Sequence, residues 1–268
     1  MKFLRSMPSL LSFGSALFLG TQASAADSGL LSMWDAVANA TTWQVATGVD
    51  YSVGRYGQAS DTTVISVPLN AAVQIDRLRL ELTIPYLDVH GPGAFVGGVV
   101  IPGGGGPATN SGLGDINLGA AWLVHRDDDS FPAVEVAGMV KLPTASSGLG
   151  TGKWDYSAGL NLYHSFSPQL MVFGSVGYSW LSDFGTFNLL NGVTGSAGLN
   201  FKPSTITAVG VSVNYREQYF QGLGDQYSVS PYAFWNFDAH WRVTGYGIVG
   251  LSRSSPRIGG GIRLVLFG

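Results

Sequence analysis

Residues 63–86, TVISVPLNAAVQIDRLRLELTIPY, decide how this chain folds. Ile65, Val67, Leu69, Val73 and Ile75 share one parity, and Leu78, Leu80, Leu82, Ile84 and Tyr86 share another. Asp76-Arg77 lies between them as a tight turn, and Arg79, Glu81 and Thr83 fill the opposite parity. Side chains on a strand alternate faces, so each segment is apolar on one side and polar on the other. Two such strands joined by two residues make a hairpin for a wall with lipid outside and water within.

The same alternation recurs outward from this hairpin. Strand one, 42–55, sets Trp43, Val45, Val49, Tyr51 and Val53 against Gln44, Ala46, Gly48, Asp50 and Ser52. Strand four, 112–125, sets Ile116, Leu118, Trp122 and Val124 against Asp115, Asn117 and His125. Further strands are expected at 133–142, 153–166, 170–181, 192–201, 205–216, 226–237, 241–251 and 258–267. That predicts an all-β fold: a closed antiparallel transmembrane β-barrel of about twelve strands over residues 42–268. Connections after the even strands are brief, and those after the odd strands, above all 90–111, are mostly longer. Short turns on the periplasmic side and long loops outside are the usual layout of an outer-membrane barrel. Trp154, Tyr156, Tyr178, Trp180, Tyr215, Tyr227, Trp235 and Trp241 fall near strand ends, where aromatic girdles meet the membrane interfaces.

The first 25 residues read as a cleavable export signal. Lys2 and Arg5 precede an apolar run at 10–20, and Ala23-Ser24-Ala25 supplies the cleavage pattern. Their removal would move the formal charge from −3 to −5, because they contain both basic residues and no acid. Residues 26–41 form an N-terminal segment with helical spacing at Leu30, Leu31, Trp34, Val37 and Ala38, a short rim or lumen helix or else a tail. The expected location is the bacterial outer membrane. The expected partners are outer-membrane lipid and lipopolysaccharide, periplasmic chaperones with the barrel-assembly machinery, and a small-molecule solute. A mildly acidic chain without a basic run excludes nucleic acid as a partner. Glycine, at 38 residues, is about twice ordinary usage. The chain has no cysteine, so it can form neither a disulfide nor a thiolate metal site.

Catalytic and cofactor motifs are missing. Gly148, Gly150, Gly152 and Lys153 do not meet phosphate-loop spacing, because Ser147 and Trp154 stand where Gly and Ser/Thr are needed. His90, His125, His164 and His240 have no metal-ligand spacing, and no G-x-S-x-G elbow is present. No cofactor and no enzymatic activity are expected. The candidate pore-lining residues are the charges on inward parity: Asp50, Arg79, Glu81, Asp115, Glu135, Lys141, Asp155, Arg216, Arg242 and Arg263. A charge facing lipid at mid-depth costs about 2–4 kcal/mol, so these side chains belong inside. They would either set selectivity along a pore or pair across strands and fill the interior.

Three pieces of sequence carry a family resemblance: Ser111-Gly112-Leu113-Gly114-Asp115-Ile116, Val140-Lys141-Leu142-Pro143-Thr144, and Leu149-Gly150-Thr151-Gly152 followed by Trp154-Asp155-Tyr156-Ser157. In order and spacing these resemble the outer-membrane β-barrel transporter family labelled "MetA-pathway of phenol degradation". The resemblance is strongest over residues 111–181. It implies a barrel that admits small, rather hydrophobic or aromatic molecules, and it transfers no catalytic residues. The leading expectation is a channel for passive uptake of such molecules. A structural barrel with no open pore and a lipid-modifying enzyme are the alternatives. Asp115, Lys141 and Asp155, near the outer ends of adjacent strands, are expected to form an ion-paired cluster that pins the outer loops.

Overall fold

The computed structural model describes residues 12–13, 34–35 and 41–268, the last stretch apart from 93, 97–98, 102–108, 129 and 184–187. It is a closed, twelve-staved antiparallel barrel with one extra strand, and the described residues include no helix. The strands are β1 (Thr41–Gly54), β2 (Thr62–Ile75), β3 (Leu78–His90), β4 (Thr109–Leu113), β5 (Asn117–His125), β6 (Ala133–Lys141) and β7 (Asp155–Ser165). They continue with β8 (Leu170–Trp180), β9 (Gly192–Phe201), β10 (Thr207–Arg216), β11 (Gln226–Asn236), β12 (Trp241–Gly250) and β13 (Ile258–Phe267). Each strand pairs with its sequence neighbours except that β4 and β5 both pair with β3 and not with each other, and β13 returns to β1 from Ile258↔Val53 to Phe267↔Gln44. Pairing continues to the last residue, where Gly268 exchanges backbone hydrogen bonds with Trp43 at 2.9 and 3.0 Å. The expected signal and N-terminal helix lie outside the described residues, except that Trp34–Asp35 pair with Ser12–Phe13.

The alternation read from the hairpin holds around the wall. Val67, Leu69, Leu80, Leu118, Trp122, Leu160, Val176, Val213 and Leu264 are exposed on the outer face, each cross-strand from others like it. Such a continuous apolar exterior is unstable in water and correct in lipid. Val53 departs from the pattern: it lies on outward parity but is buried at the loop end of β1. Aromatic rings collect in two belts. Tyr178 with Trp180 and Tyr215 with Tyr227 mark the loop end, at centroid distances of 5.1 and 5.2 Å. Trp235, Phe237 and Trp241 mark the turn end, where the last two rings stack 6.5 Å apart.

The short turns lie at one end, and four of them share a local device. Asp128, Ser167, Ser204 and Asp238 each accept backbone N–H groups two and three residues ahead, as Asx and ST turns. The N–H groups of Ser130 and Phe131 also hold the Asp128 carboxyl below its ordinary range. Asp76 turns with φ +52°, a left-handed conformation that a short polar residue tolerates. These side chains satisfy the turn backbone locally, which is why the connections can be so brief.

The fourth stave differs from the sequence reading. Residues 112–125 are not one strand, because the chain bends between Leu113 and Asn117. β5 pairs with β3 only as far as Thr83↔Asn117, whereas β4 takes the outer half of β3 from Tyr86↔Leu113 to His90↔Thr109. Pro85 has no N–H to give, and Gly114 donates to its carbonyl at 2.8 Å. A β-carbon at Gly114 would press on the Pro85 and Leu87 side chains, so any larger residue would have to displace them. The free edge of β4 is closed by the loop after β6: Ser146 N donates to Leu113 O at 2.8 Å and Ile116 N to Thr144 Oγ1 at 2.9 Å. The long loop expected at 90–111 therefore ends earlier, in β4, and contains a hairpin pairing Ala94–Val96 with Val99–Ile101.

Candidate functional site in the barrel interior

The structure places all ten sequence-predicted charges on inward strand faces or at their loop-end continuation, and it gathers them into separate groups. Near the turn end, Arg79 Nη1 and Nη2 grip Glu135 at 2.6 and 2.8 Å, and Arg79 Nε reaches Glu81 at 2.6 Å. Asn161, fully buried, donates to Glu135 Oε1 at 2.8 Å. The two-pronged geometry matches guanidinium to carboxylate, and the amide satisfies a remaining lone pair. At mid-height Asp50 receives both Arg263 and the Tyr246 hydroxyl, the latter at 2.5 Å. Arg242 lies over the rings of Phe234 and Phe267, at 4.2 and 4.8 Å, and donates to Asn236 at 2.7 Å. Arg216 lies 4.1 Å over Tyr219. His125 and His164 stand at the turn rim beside Asp128 and Asp127, at 3.5 and 2.9 Å.

The third charged group lies under the outer loops. Lys141 Nζ is 2.9 Å from Asp115 Oδ2, 2.8 Å from Asp155 Oδ2 and 2.9 Å from Thr151 Oγ1. Asp115 Oδ1 accepts the N–H groups of Thr144 and Ala145 at 3.1 and 3.0 Å, and Asp155 Oδ1 accepts that of Ser182 at 2.8 Å. Lys141 and Asp155 are 1 % and 0 % exposed, so these bonds act with little screening. One buried ammonium thus ties the bend before β5, the loop after β6 and the loop after β8.

Between the charges, the wall is lined by small and neutral polar groups. Ser175 and Ser196 face each other at 2.8 Å, and Asn214 points among Ser212, Ser228 and Ser230. Three inward rings lie back against glycines: Phe173 on Gly198, Tyr232 on Gly210 and Tyr246 on Gly261, each a directly registered pair. A β-carbon at any of the three glycines would collide with the ring, so glycine lets the aromatic lie along the wall.

The outer mouth is apolar. Tyr56, Val64, Leu87, Val89, Val100 and Leu149 form one buried cluster, with Ala145 packed against it. Val64, Leu87 and Val89 belong to the wall, Tyr56 to the loop after β1, Val100 to the loop hairpin and Leu149 to the loop after β6. Sequence reasoning missed this cluster. The signal was apolar residues on the inward parity of β2 and β3, visible only against a settled register. It also missed Asn161, Thr151 and Tyr246, neutral side chains that complete the charged groups and follow no motif.

No family model matches the chain, and no curated protein matches it. Solved structures do. The COG4313 outer membrane channel from Pseudomonas putida F1 aligns with TM-score 0.64 at 17% identity, over 86% of this chain and 96% of that one. The KdgM porin in complex with disordered oligogalacturonate aligns with TM-score 0.50 at 8% identity, over 84% and 97%. The translocator domain of autotransporter NalP from Neisseria meningitidis aligns with TM-score 0.50 at 11% identity, over 85% and 87%. At these identities the likeness is one of fold: a membrane-spanning barrel of the kind that channels, porins and translocators share.

Proposed function

We propose that this protein is a bacterial outer-membrane channel for passive entry of small, uncharged molecules, hydrophobic or aromatic ones among them. The observation that carries this reading is the lining of the interior. Eight strands leave a bore that side chains fill, and twelve leave a wider one. Here the inward positions of β8 to β10 are mostly glycine, alanine and serine, and Phe173, Tyr232 and Tyr246 lie against glycines of the adjacent strands, packed with Ile248. Small lining residues in a wide bore favour a path over a packed core. The channel fold of the structural neighbours and the likeness of three motifs to a transporter family support the same reading.

The lumen charges argue for an uncharged solute. The ten inward residues comprise five bases (Arg79, Lys141, Arg216, Arg242, Arg263) and five acids (Asp50, Glu81, Asp115, Glu135, Asp155). Eight of them meet an opposite charge within the wall, and Arg242 and Arg216 lie on aromatic rings. Such a wall has little net field with which to select ions. The purified protein, with residues 94–107 replaced by a short Gly-Ser linker, is expected to give discrete conductance steps in planar bilayers. Its reversal potential should stay near zero across a KCl gradient. A second reading, a structural barrel with no open path, draws on the burial of the ionic groups. Absence of conductance from both the full chain and the shortened one would favour it and overturn the channel.

A further inference from the structure

Two apolar clusters interrupt the small and polar lining: Tyr232, Tyr246 and Ile248 with Phe173 against them, all from strands, and the larger one at the outer mouth, which loops complete. In the latter, Val64 and Val89 are registered partners on β2 and β3, both inward and both buried, with Leu87 beside them. Tyr56 is 2 % exposed and held at φ +48°. Left-handed backbone is uncommon for any residue but glycine and a genuine outlier for a bulky one. A residue kept in that region is one whose surroundings over-determine it, and such residues concentrate at ligand clamps and switches. The conformation turns the phenol ring into the cluster, where its hydroxyl donates to Ser52 Oγ at 3.1 Å. Burial pushes that phenol up to about 12, so it stays neutral and can serve only as a hydrogen-bonding group.

Two loops complete the cluster in different ways. Leu149 and Ala145 belong to the segment that Asp115 holds through the Thr144 and Ala145 N–H groups, and Lys141 fixes Asp115 in turn. That side is anchored by buried charge. Val100 comes from the hairpin of two three-residue strands between β3 and β4, and it is 2 % exposed. A valine side chain is held by non-directional burial, so an apolar group of similar size brings the same stabilisation.

We propose that Tyr56, Val64, Leu87, Val89 and Leu149 form a docking site for an apolar group on the incoming solute, and that Val100 occupies this site when the mouth is closed. The inference rests on the channel reading and adds where the solute first binds and what it displaces. An uncharged molecule with an apolar ring or branched alkyl group replaces Val100, the hairpin withdraws, and the anchored loop after β6 stays in place. A purely polar solute has nothing to offer the site and leaves it shut.

The absence of cysteine from the chain makes a clean test available. In the double variant Leu87→Cys/Val100→Cys, reconstituted in phospholipid vesicles and shown to be folded, an oxidant should close a disulfide between hairpin and wall. Ethylbenzene near saturation should slow that closure several-fold, and glycerol at equal concentration should leave it unchanged. Failure of the disulfide to form, or equal rates with and without ethylbenzene, would overturn the docking site. A second variant, Val100→Asp, alters only the hairpin and should raise conductance in planar bilayers several-fold over the native chain. Unchanged conductance there, beside a conducting loop-shortened protein, would also overturn the docking site while leaving the channel standing. Disulfide kinetics that respond to ethylbenzene in a barrel that never conducts would sink the channel alone.

Discussion

Replacing Lys141 with methionine is expected to loosen the outer rim of this barrel while leaving its wall closed. Methionine keeps the length of the stem but removes the cation that bridges Asp115 and Asp155. Two carboxylates, 7 % and 0 % exposed, would then face each other with no compensating charge. Removing one partner of a buried ion pair costs about 3–5 kcal/mol, most of it from the charge left behind. The cost falls on the bend before β5, the loop after β6 and the loop after β8, which this group joins. Limited proteolysis in detergent should therefore cut residues 142–154 and 181–191 much faster than in the native protein. The heat-modifiable shift on SDS gels, which reports the closed wall, should persist. Adding Asp155→Asn removes the excess charge and should restore part of the protection. Unchanged protease sensitivity in Lys141→Met would show that the three residues do not pin the loops.

The second large effect is expected at the seam where the barrel closes. Gly48 on β1 registers with Arg263 on β13, and a β-carbon at Gly48 would fall inside the backbone carbonyl of Ile262. A side chain can swing away from a collision, but a carbonyl held in a ladder cannot. Gly48→Val is thus expected to cost at least the ~3 kcal/mol at the upper end of ordinary overpacking. Because the first and last strands meet only here, the damage is to closure itself. Refolding from urea into detergent micelles should yield little or no heat-modifiable species. Gly245→Ala is the matched control, since a β-carbon there meets nothing within 4 Å, and it should refold normally. Efficient refolding of Gly48→Val would mean that the seam is looser than its register indicates.

Much of the architecture was legible because a barrel wall imposes a period of two on every strand. Nothing beyond parity was needed to put Arg79, Glu81 and Glu135 inside or Leu80 and Trp122 outside. The cluster of Asp115, Lys141 and Asp155 was legible for the same reason: three charges on inward parity near one end of neighbouring strands must meet each other or water. The fourth stave was misread because the outward parity changes across Gly114-Asp115-Ile116, from odd at Leu113 to even at Leu118, and the alternation of Asp115 with Ile116 hides the change. Pro85, on the facing strand, has no hydrogen to offer, and that fact lies 29 residues away in the chain.

Alternating hydrophobicity, turn spacing and the even strand count were enough, unaided, to determine a transmembrane barrel and the sign of most of its faces. These are local properties: each residue has two sides to choose from, and the transfer free energy between lipid and water decides. Only the tertiary structure decided how the interior charges divide into neutral groups, which rings lie against which glycines, and that Val100 closes an apolar site built by Tyr56, Val64, Leu87, Val89 and Leu149. Those contacts depend on the register between strands and on where long loops return. A chain's own periodicity carries neither, because both are set by the packing of segments far apart in sequence.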